Sequence, residues 1–390
     1  MTVSPAVGEP AQDEVFTPLA PAMLADPYAV YQRLRRSDPV HWHHQLGAWV
    51  LTRHADCVRV LKHTEVFSSD PRKLGKPIPE SVISLQTMDP PEQSAVRRHF
   101  LSAFRQRDLD AWSAQLRRIA GELLANTGNK PFDFVSHIAE PLALRAMCLL
   151  YDVPHPADDK PLRTASRTMI LGMDSGLDPA RRAPALAARE VLNTHVGEWL
   201  ARPSRPAPLA GLDQVGSIER QYLVNSLRAV FDAGFSTTAN LLGNTMKYLT
   251  GQGPLATADL RRLDARAVDE LARLDGPVQA VSRHCLTGGQ LGEQEFRRGE
   301  VVIVMLGAAN HDPAVFARPA EADFARDPNP HLGFGRGVHA CLGGHLATRV
   351  TLALFEALAT HCERIERAGE PVQRPTATQR GLDSLPLVAG

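Results

Sequence analysis

Three hundred and ninety residues, 44% hydrophobic and 22% charged, can bury a large core, which excludes a disordered chain and a disulfide-stapled peptide. Basic and acidic side chains balance at 43 each, so no bulk field draws the chain to nucleic acid or to an anionic membrane, and neither is expected as a partner. Cysteines 57, 148, 285, 341 and 362 form no C-x-x-C pair, which points to a reducing, cytoplasmic setting rather than a disulfide framework or zinc ribbon. The acidic N-terminus has no basic n-region and no stretch approaches eighteen apolar residues, so neither a signal peptide nor a membrane span is expected.

Residues 1–20 read as an irregular tail and 21–390 as the folded part. Asp26-Pro27 is a helix start, with Val30, Tyr31 and Leu34 on one face and a stop before Pro39. Residues 40–52 predict a hairpin around Gly47, followed by a short helix through Val58, Val60 and Leu61. His41, His43 and His44 have a metal-like spacing but no acid or thiolate close in sequence, so a structural role is expected. Proline-rich text from Pro71 to Pro91 marks a long irregular loop. Apolar spacings of three and four then predict helices over 92–126, 136–152, 182–201, 217–250 and 258–275, with punctuation such as Pro203 to Pro208. Strand-like text appears at 278–285, at 300–306 and near the C-terminus. The fold class is mainly α with a small β part.

The stretch from His331 to Gly344, HLGFGRGVHACLGG, crowds glycines around a cysteine and runs into the amphipathic pattern Leu346, Val350, Leu354, Leu358. A cysteine at a helix N-terminus meets unpaired N–H groups and the positive end of the dipole, which favour thiolate. Gly337 and Gly343 would let the backbone approach a flat group, and a lone thiolate suits an axial haem ligand better than a zinc site. A buried structural cysteine is the alternative.

The pattern F-x-x-G-x-H-x-C-x-G, formed by Phe334, Gly337, His339, Cys341 and Gly343, resembles the haem-binding loop of the cytochrome P450 family. The resemblance implies the fold of that family, with a long oxygen-binding helix and a cysteine loop enclosing haem b. It makes Cys341 the iron ligand, sets Phe334, Gly335 and Gly343 around it, and gives His339 a haem propionate. Of two E-x-x-R pairs, Glu270–Arg273 and Glu295–Arg298, only the first ends a helical run before strand-like text. By resemblance Glu270 and Arg273 form a structural cluster with Arg326, and Arg283 is a second propionate contact.

Ala233-Gly-Phe-Ser-Thr-Thr238 resembles the oxygen-binding helix of the family, with Ala233 and Gly234 at the groove and Thr237 as the hydroxyl assisting proton delivery to oxygen. Ser236 stands where the family usually carries an acid, and a hydroxyl relays a proton but supplies none. Asp232, one turn earlier, shares a helix face with Ser236. Asp89-Pro-Pro-Glu-Gln-Ser-Ala-Val-Arg97 resembles a helix start of the family that contacts the haem, with Arg97 as a propionate ligand and Gln93 where histidine is common. Asn310, Asp312 and Pro313, and the run Arg380 to Pro386, complete the resemblance, which reaches nearly the whole chain.

The implied reaction is O2 activation at a thiolate-ligated haem, with one oxygen atom inserted into a small organic substrate by hydroxylation or epoxidation. No flavin or nicotinamide fingerprint is present, so electrons are expected from a separate ferredoxin and reductase, with Arg98, Arg105 and Arg107 as a basic docking patch. The resemblance lines the substrate pocket with Val82, Ile83, Leu85, Phe235, Gln279, Ala280, Val281, Leu382 and Ser384. Arginine outnumbers lysine 37 to 6, as in GC-rich bacterial genomes, where soluble members tailor natural products. A monomer is expected. Two alternatives stay open: an oxidase of the same fold that couples or desaturates its substrate, and a haem-binding protein without turnover.

Overall fold

The computed structural model describes residues 16–128, 130–202, 207–209 and 217–390. Residues 1–15 of the expected tail, and 203–206 of the proline punctuation, lie outside the described residues. After α1 (Pro21–Ala25), Asp26 accepts the Tyr28 N–H at 3.0 Å and starts α2 (Tyr28–Ser37), with Pro27 in the N-cap place rather than the first helical one. Gly47, at φ +55°, turns the hairpin of β1 (Val40–His43) and β2 (Ala48–Leu51). Then come α3 (His54–Lys62) and β3 (Phe67–Ser68). His41 pairs with Asp38 at 2.7 Å and its ring meets Phe16 edge-on, as does that of His43.

The helix expected over 92–126 is two, α4 (Glu92–Arg105) and α5 (Leu109–Ala125), because the Asp108 carboxylate accepts the N–H groups of Asp110 and Ala111 and starts a new helix. After β4 (Phe132–Asp133) a π-helical turn leads into α6 (Glu140–Tyr151). The sequence reading did not anticipate α7 (Lys160–Gly172), whose sparse apolar positions Leu162, Ala165 and Ile170 are buried. It packs against α8 (Arg182–Leu200) so closely that a Cβ on Gly172 would lie 2.1 Å from that of Ala185. At 35 residues α9 (Ser217–Gly251) spans about 50 Å. Asp264 caps α10 (Ala265–Asp275) and so splits the helix expected over 258–275.

The later chain is β5 (Leu255–Ala256), β6 (Ala280–Cys285), β7 (Gly289–Leu291), β8 (Gln294–Phe296), β9 (Val301–Met305), α11 (Leu306–Ala309), α12 (Gly344–His361), β10 (Arg364–Arg367), β11 (Val372–Gln373), β12 (Leu382–Ser384) and β13 (Pro386–Ala389). One sheet has the order β1-β2-β9-β6-β3, with only β2 and β9 parallel, and another has the order β4-β13-β10-β5. The larger core joins α5, α6, α9 and α12 through Leu116, Leu142, Phe231 and Leu354. A second core seats α3 on the first sheet through Cys57, Val60 and Val304. Among the described residues no helix is long and apolar enough to cross a membrane.

Buried charge fixes how these layers meet. Glu270 accepts Arg273 Nε and Nη2 at 2.8 Å each, Arg326 Nε at 3.1 Å, Asn329 Nδ2 at 3.1 Å and the Asp323 N–H at 2.9 Å. Burial raises its affinity for a proton, but these donors outweigh burial and hold the carboxyl below its usual range. Asp275 takes Tyr28 Oη and Arg380 Nε at 2.7 Å and Lys247 Nζ at 2.5 Å, while Arg380 also donates to the carbonyls of Leu24 and Ala25. The C-terminal segment is thereby tied to the first helices.

Glu270→Ala leaves two guanidiniums without their carboxylate and should cost about 3–5 kcal/mol, read as a lower urea midpoint. Burial raises the Asp275 carboxyl, but Arg380 and Lys247 bring it down to about 2, below the unfolded value of about 3.9. Its contribution is therefore complete above about pH 4 and is lost as pH falls towards 2. Asp275→Asn should flatten the stability profile in that window by about 2–3 kcal/mol.

Candidate functional site

The cysteine loop is held on three sides before any ligand is considered. The Cys341 N–H donates to the Phe334 carbonyl at 2.7 Å, and the Leu332 N–H donates to Asn310 Oδ1 at 2.6 Å. Gln93 reaches across from α4, its Nε2 donating to the Val338 carbonyl at 2.8 Å. Gln93 is thus a clamp on the loop backbone in this structure. Gly335 and Gly337 take φ +67° and +74°, and a Cβ on Gly337 would stand 2.3 Å from the Leu61 carbonyl oxygen. The close approach that demands glycine at 337 in this structure is therefore to the backbone of α3. At Gly343 the nearest atom to a Cβ is Leu346 Cδ1 at 3.9 Å, whereas at Gly344 it is the Phe334 ring at 3.3 Å.

Cys341 is exposed, while Cys57, Cys148 and Cys285 are buried, and all five cysteines are free. Its exposure is that of a recess, because enough protein surrounds the sulfur for burial to dominate and push the thiol up. The Gly343 and Gly344 N–H groups and Arg97 oppose that push. The pull towards thiolate read from the sequence is present but outweighed, and a metal cation on the sulfur is what would reverse the balance.

Two desolvated guanidiniums stand close by, Arg97 beside Cys341 and Arg283 beside Asp89, the carboxylate that His339 of the loop meets. Arg97, half-buried, is held below the usual arginine range by burial, with Cys341 the titratable neighbour that favours its charge. Burial brings Arg283 down to about 10 against the pull of Asp89; its Nη1 donates to the Ser282 carbonyl at 2.8 Å and its buried Nε has no partner. Desolvated cations short of anions fit a group that brings two carboxylates, as haem does, and one accessible thiol fits a single axial ligand. The donor set thus suits the haem that the resemblance implies.

His339 Nε2 lies 3.3 Å from Asp89 Oδ1. Asp89 also binds Ser68 Oγ, Lys73 Nζ at 3.1 Å and the Ser69 N–H at 3.2 Å. Burial raises this carboxyl, but His339, Ser68 and Lys73 outweigh it and hold it well below the carboxylate range. Sequence reasoning did not assign Asp89, Lys73 or Ser68. The only signal was the position of Asp89 ahead of Pro90-Pro91.

On α9, Ala233, Gly234 and Thr237 are half-buried, and Thr237 Oγ1 donates to the Ala233 carbonyl at 2.7 Å. A Cβ on Gly234 would stand 2.6 Å from Met147 Sδ and Cε, so this glycine is required by packing on α6. Ser236 is buried and lines a small cavity with Phe235 and Ser166. Of the expected substrate residues, Val82 is half-buried, and Ile83, Leu85 and Leu382 lie in the larger core. Gln279 and Ala280 line a cavity of about 70 Å³ beneath Phe16 and Tyr31, Val281 packs on the sheet core, and Ser384 Oγ donates to Asp133 at 3.1 Å. Of the nine, Phe235 thus lines the smaller of these two cavities and Gln279 and Ala280 the larger. Arg98 and Arg105 are exposed, whereas Arg107 donates to the Leu149 carbonyl at 2.9 Å.

Comparison with known proteins gives one family. Residues 258–373 match the Cytochrome P450 family model. The chain is 30% identical over 382 residues to cytochrome P450 126 of Mycobacterium tuberculosis, covering 89% of this chain and 90% of that one. It is 29% identical over 402 residues to 6-deoxyerythronolide B hydroxylase of Saccharopolyspora erythraea, covering 93% and 96%. The crystal structure of CYP109E1 from Bacillus megaterium in complex with testosterone superposes with a TM-score of 0.82 at 25% identity, covering 94% and 98%.

Gly337→Ala combines a left-handed backbone with a clash against Leu61, and should lower stability by about 2–4 kcal/mol. An unchanged denaturation midpoint would contradict the packing described for the loop.

Proposed function

The chain belongs to the cytochrome P450 family and is a monooxygenase; from that premise we propose that it hydroxylates or epoxidises a small natural-product intermediate at a haem held by Cys341. The observation that carries the assignment of Cys341 is the desolvated Arg97 guanidinium beside its sulfur, with a second desolvated guanidinium, Arg283, beside the Asp89 that His339 of the loop meets. The substrate class is drawn from similarity to a hydroxylase of 6-deoxyerythronolide B.

When bound, haem supplies reductive O2 activation with electrons from an outside donor, here a separate ferredoxin and reductase. Cys341 would hold the iron, with Phe334, Gly335 and Gly343 shaping the loop around the sulfur. Arg97 and Arg283 would take the propionates, with His339 joining them from its place beside Asp89. Gln93 would act indirectly by fixing the Val338 carbonyl. Ala233 and Thr237 would face the oxygen side of α9, where Thr237 Oγ1, which donates to the Ala233 carbonyl, would be the proton-holding hydroxyl. Val82, Ile83, Leu85, Phe235, Gln279, Ala280, Val281, Leu382 and Ser384 remain the proposed substrate contacts. Arg98 and Arg105 offer an exposed basic face on α4 for the electron donor.

A second reading has a specific motive. Ser236 supplies no carboxyl, and slow proton delivery favours an oxidase outcome in which substrate is coupled or desaturated without gaining oxygen.

Turnover under ¹⁸O2 should give product carrying one labelled atom; dehydrogenated, unlabelled product would establish the oxidase instead. Thr237→Ala should bind substrate normally yet divert most reducing equivalents to peroxide, measured as peroxide formed per electron consumed. Normal coupling would remove Thr237 from proton handling.

A further inference from the structure

A carboxyl missing at position 236 raises the question of which group supplies the proton, and the structure offers one on the same helix face. Asp232 lies one turn before Ser236, is only 7% exposed, and accepts a hydrogen bond from Ser166 Oγ on α7 at 2.6 Å. Ser166 and Ser236, themselves 1% and 5% exposed, both line a cavity of about 10 Å³ between α6, α7 and α9, close to the room one water needs. Asn240 lines the same cavity. Its Oδ1 takes Arg374 Nη1 at 3.1 Å, while its buried Nδ2 has no partner. Two hydroxyls and an unsatisfied amide N–H around a water-sized space are the partners a buried water requires.

We propose that Asp232, acting through Ser166 and a water held between Ser166 and Ser236, supplies the proton that a carboxyl at position 236 would otherwise give. The inference rests on the monooxygenase reading above. In the relay Asp232 gives its proton to Ser166 Oγ, Ser166 passes its own to the water, the water passes one to Ser236, and Ser236 releases one to the oxygen side of α9. Each bridging group gains one proton and loses one. Asp232 is left as carboxylate and regains a proton from bulk water between turnovers.

The surrounding charges distinguish Asp232, one hydrogen bond behind the cavity through Ser166, from Glu140, the acid that lines it. Glu140, on α6, is met by three guanidiniums, Arg167 Nε at 2.6 Å, Arg163 Nη1 at 3.5 Å and Arg374 Nη2 at 3.9 Å. Asp232 has the Ser166 hydroxyl and, at longer range, Arg228 on its own helix. Arg228 in turn is directed to Asn193 Oδ1 and the Ser81 carbonyl, with Arg189 and Glu190 of α8 nearby. Burial therefore dominates and pushes the Asp232 carboxyl up to about 6, the range in which an acid both holds and yields a proton near neutrality. Asp232 is a positioning residue in this scheme, since it reaches the oxygen side only through others.

The test uses the full-length, haem-loaded protein. Infrared spectra between about pH 5 and 8 should contain a carboxylic-acid C=O band that fades as pH rises through about 6 and is missing from Asp232→Asn. That variant should form about tenfold less product per electron consumed, and adding Ser236→Asp should restore the yield. Ser166→Ala should keep the infrared band yet lose a similar share of the yield. This split separates relay from structure, and it decides the matter if the asparagine variant does not fold. Wild-type yield and pH profile in Asp232→Asn, or a wild-type spectrum with no titrating band, overturns the relay. A wild-type protein that makes no oxygenated product overturns the function beneath it.

Discussion

The irregular chain leading into the cysteine loop hangs on a single buried carboxylate. Glu270, on a helix packed against the larger core, gathers Arg273, Arg326, Asn329 and the Asp323 N–H, and so binds the irregular segment before the cysteine loop to α10. Arg273 extends the tie by donating to the carbonyls of Asn310, Pro319 and Glu321. Asn310 then holds Leu332, the second residue of the loop. An ion pair of this kind adds little net stability over a well-packed apolar alternative, because desolvation consumes most of the Coulombic gain. Its use here is geometric. A planar fork of donors fixes the direction of chain that has no helix or strand to guide it.

The loop illustrates how a ligand-binding segment can be rigid without regular structure. Its backbone is pinned by Phe334, Asn310 and Gln93, and Gly337 presses directly on the carbonyl of Leu61. The sulfur is therefore delivered by α3, α4 and α10 together rather than by α12, whose first residue, Gly344, comes three residues later. The charges nearby follow a different logic. Arg97 and Arg283 are held down by burial, Arg283 against the pull of Asp89, whereas Asp89 is surrounded by donors. Desolvating two guanidiniums is costly without a group that meets their charge. It is understandable where a dianionic, iron-bearing group completes the site.

Much of this was legible in the sequence, and the reason is local. The cysteine loop, the Glu270–Arg273 spacing and the long apolar run of α9 are contiguous patterns whose chemistry follows from neighbours. What escaped was set by contacts distant in sequence or by single caps. Asp108 and Asp264 each cut an expected helix in two, because one carboxylate satisfying two N–H groups outweighs continuous apolar spacing. The helix α7 went unread because Pro161, Thr164 and Thr168 dilute its pattern, and it is stabilised by contacts distant in sequence, with α8, the larger core and Glu140. Gln93, noted only as standing where histidine is common, holds the loop backbone, and nothing within four residues of it announces Val338. Ser166, which makes Asp232 interesting, likewise carries no signal of its own.

The central claim is that Cys341 serves as a thiolate ligand to haem iron, and the absorption spectrum of the reduced protein under carbon monoxide tests it most directly. The account predicts a strongly red-shifted Soret band in the purified protein and its loss in Cys341→Ser. A protein that binds no haem, or one whose band is unshifted, would contradict it.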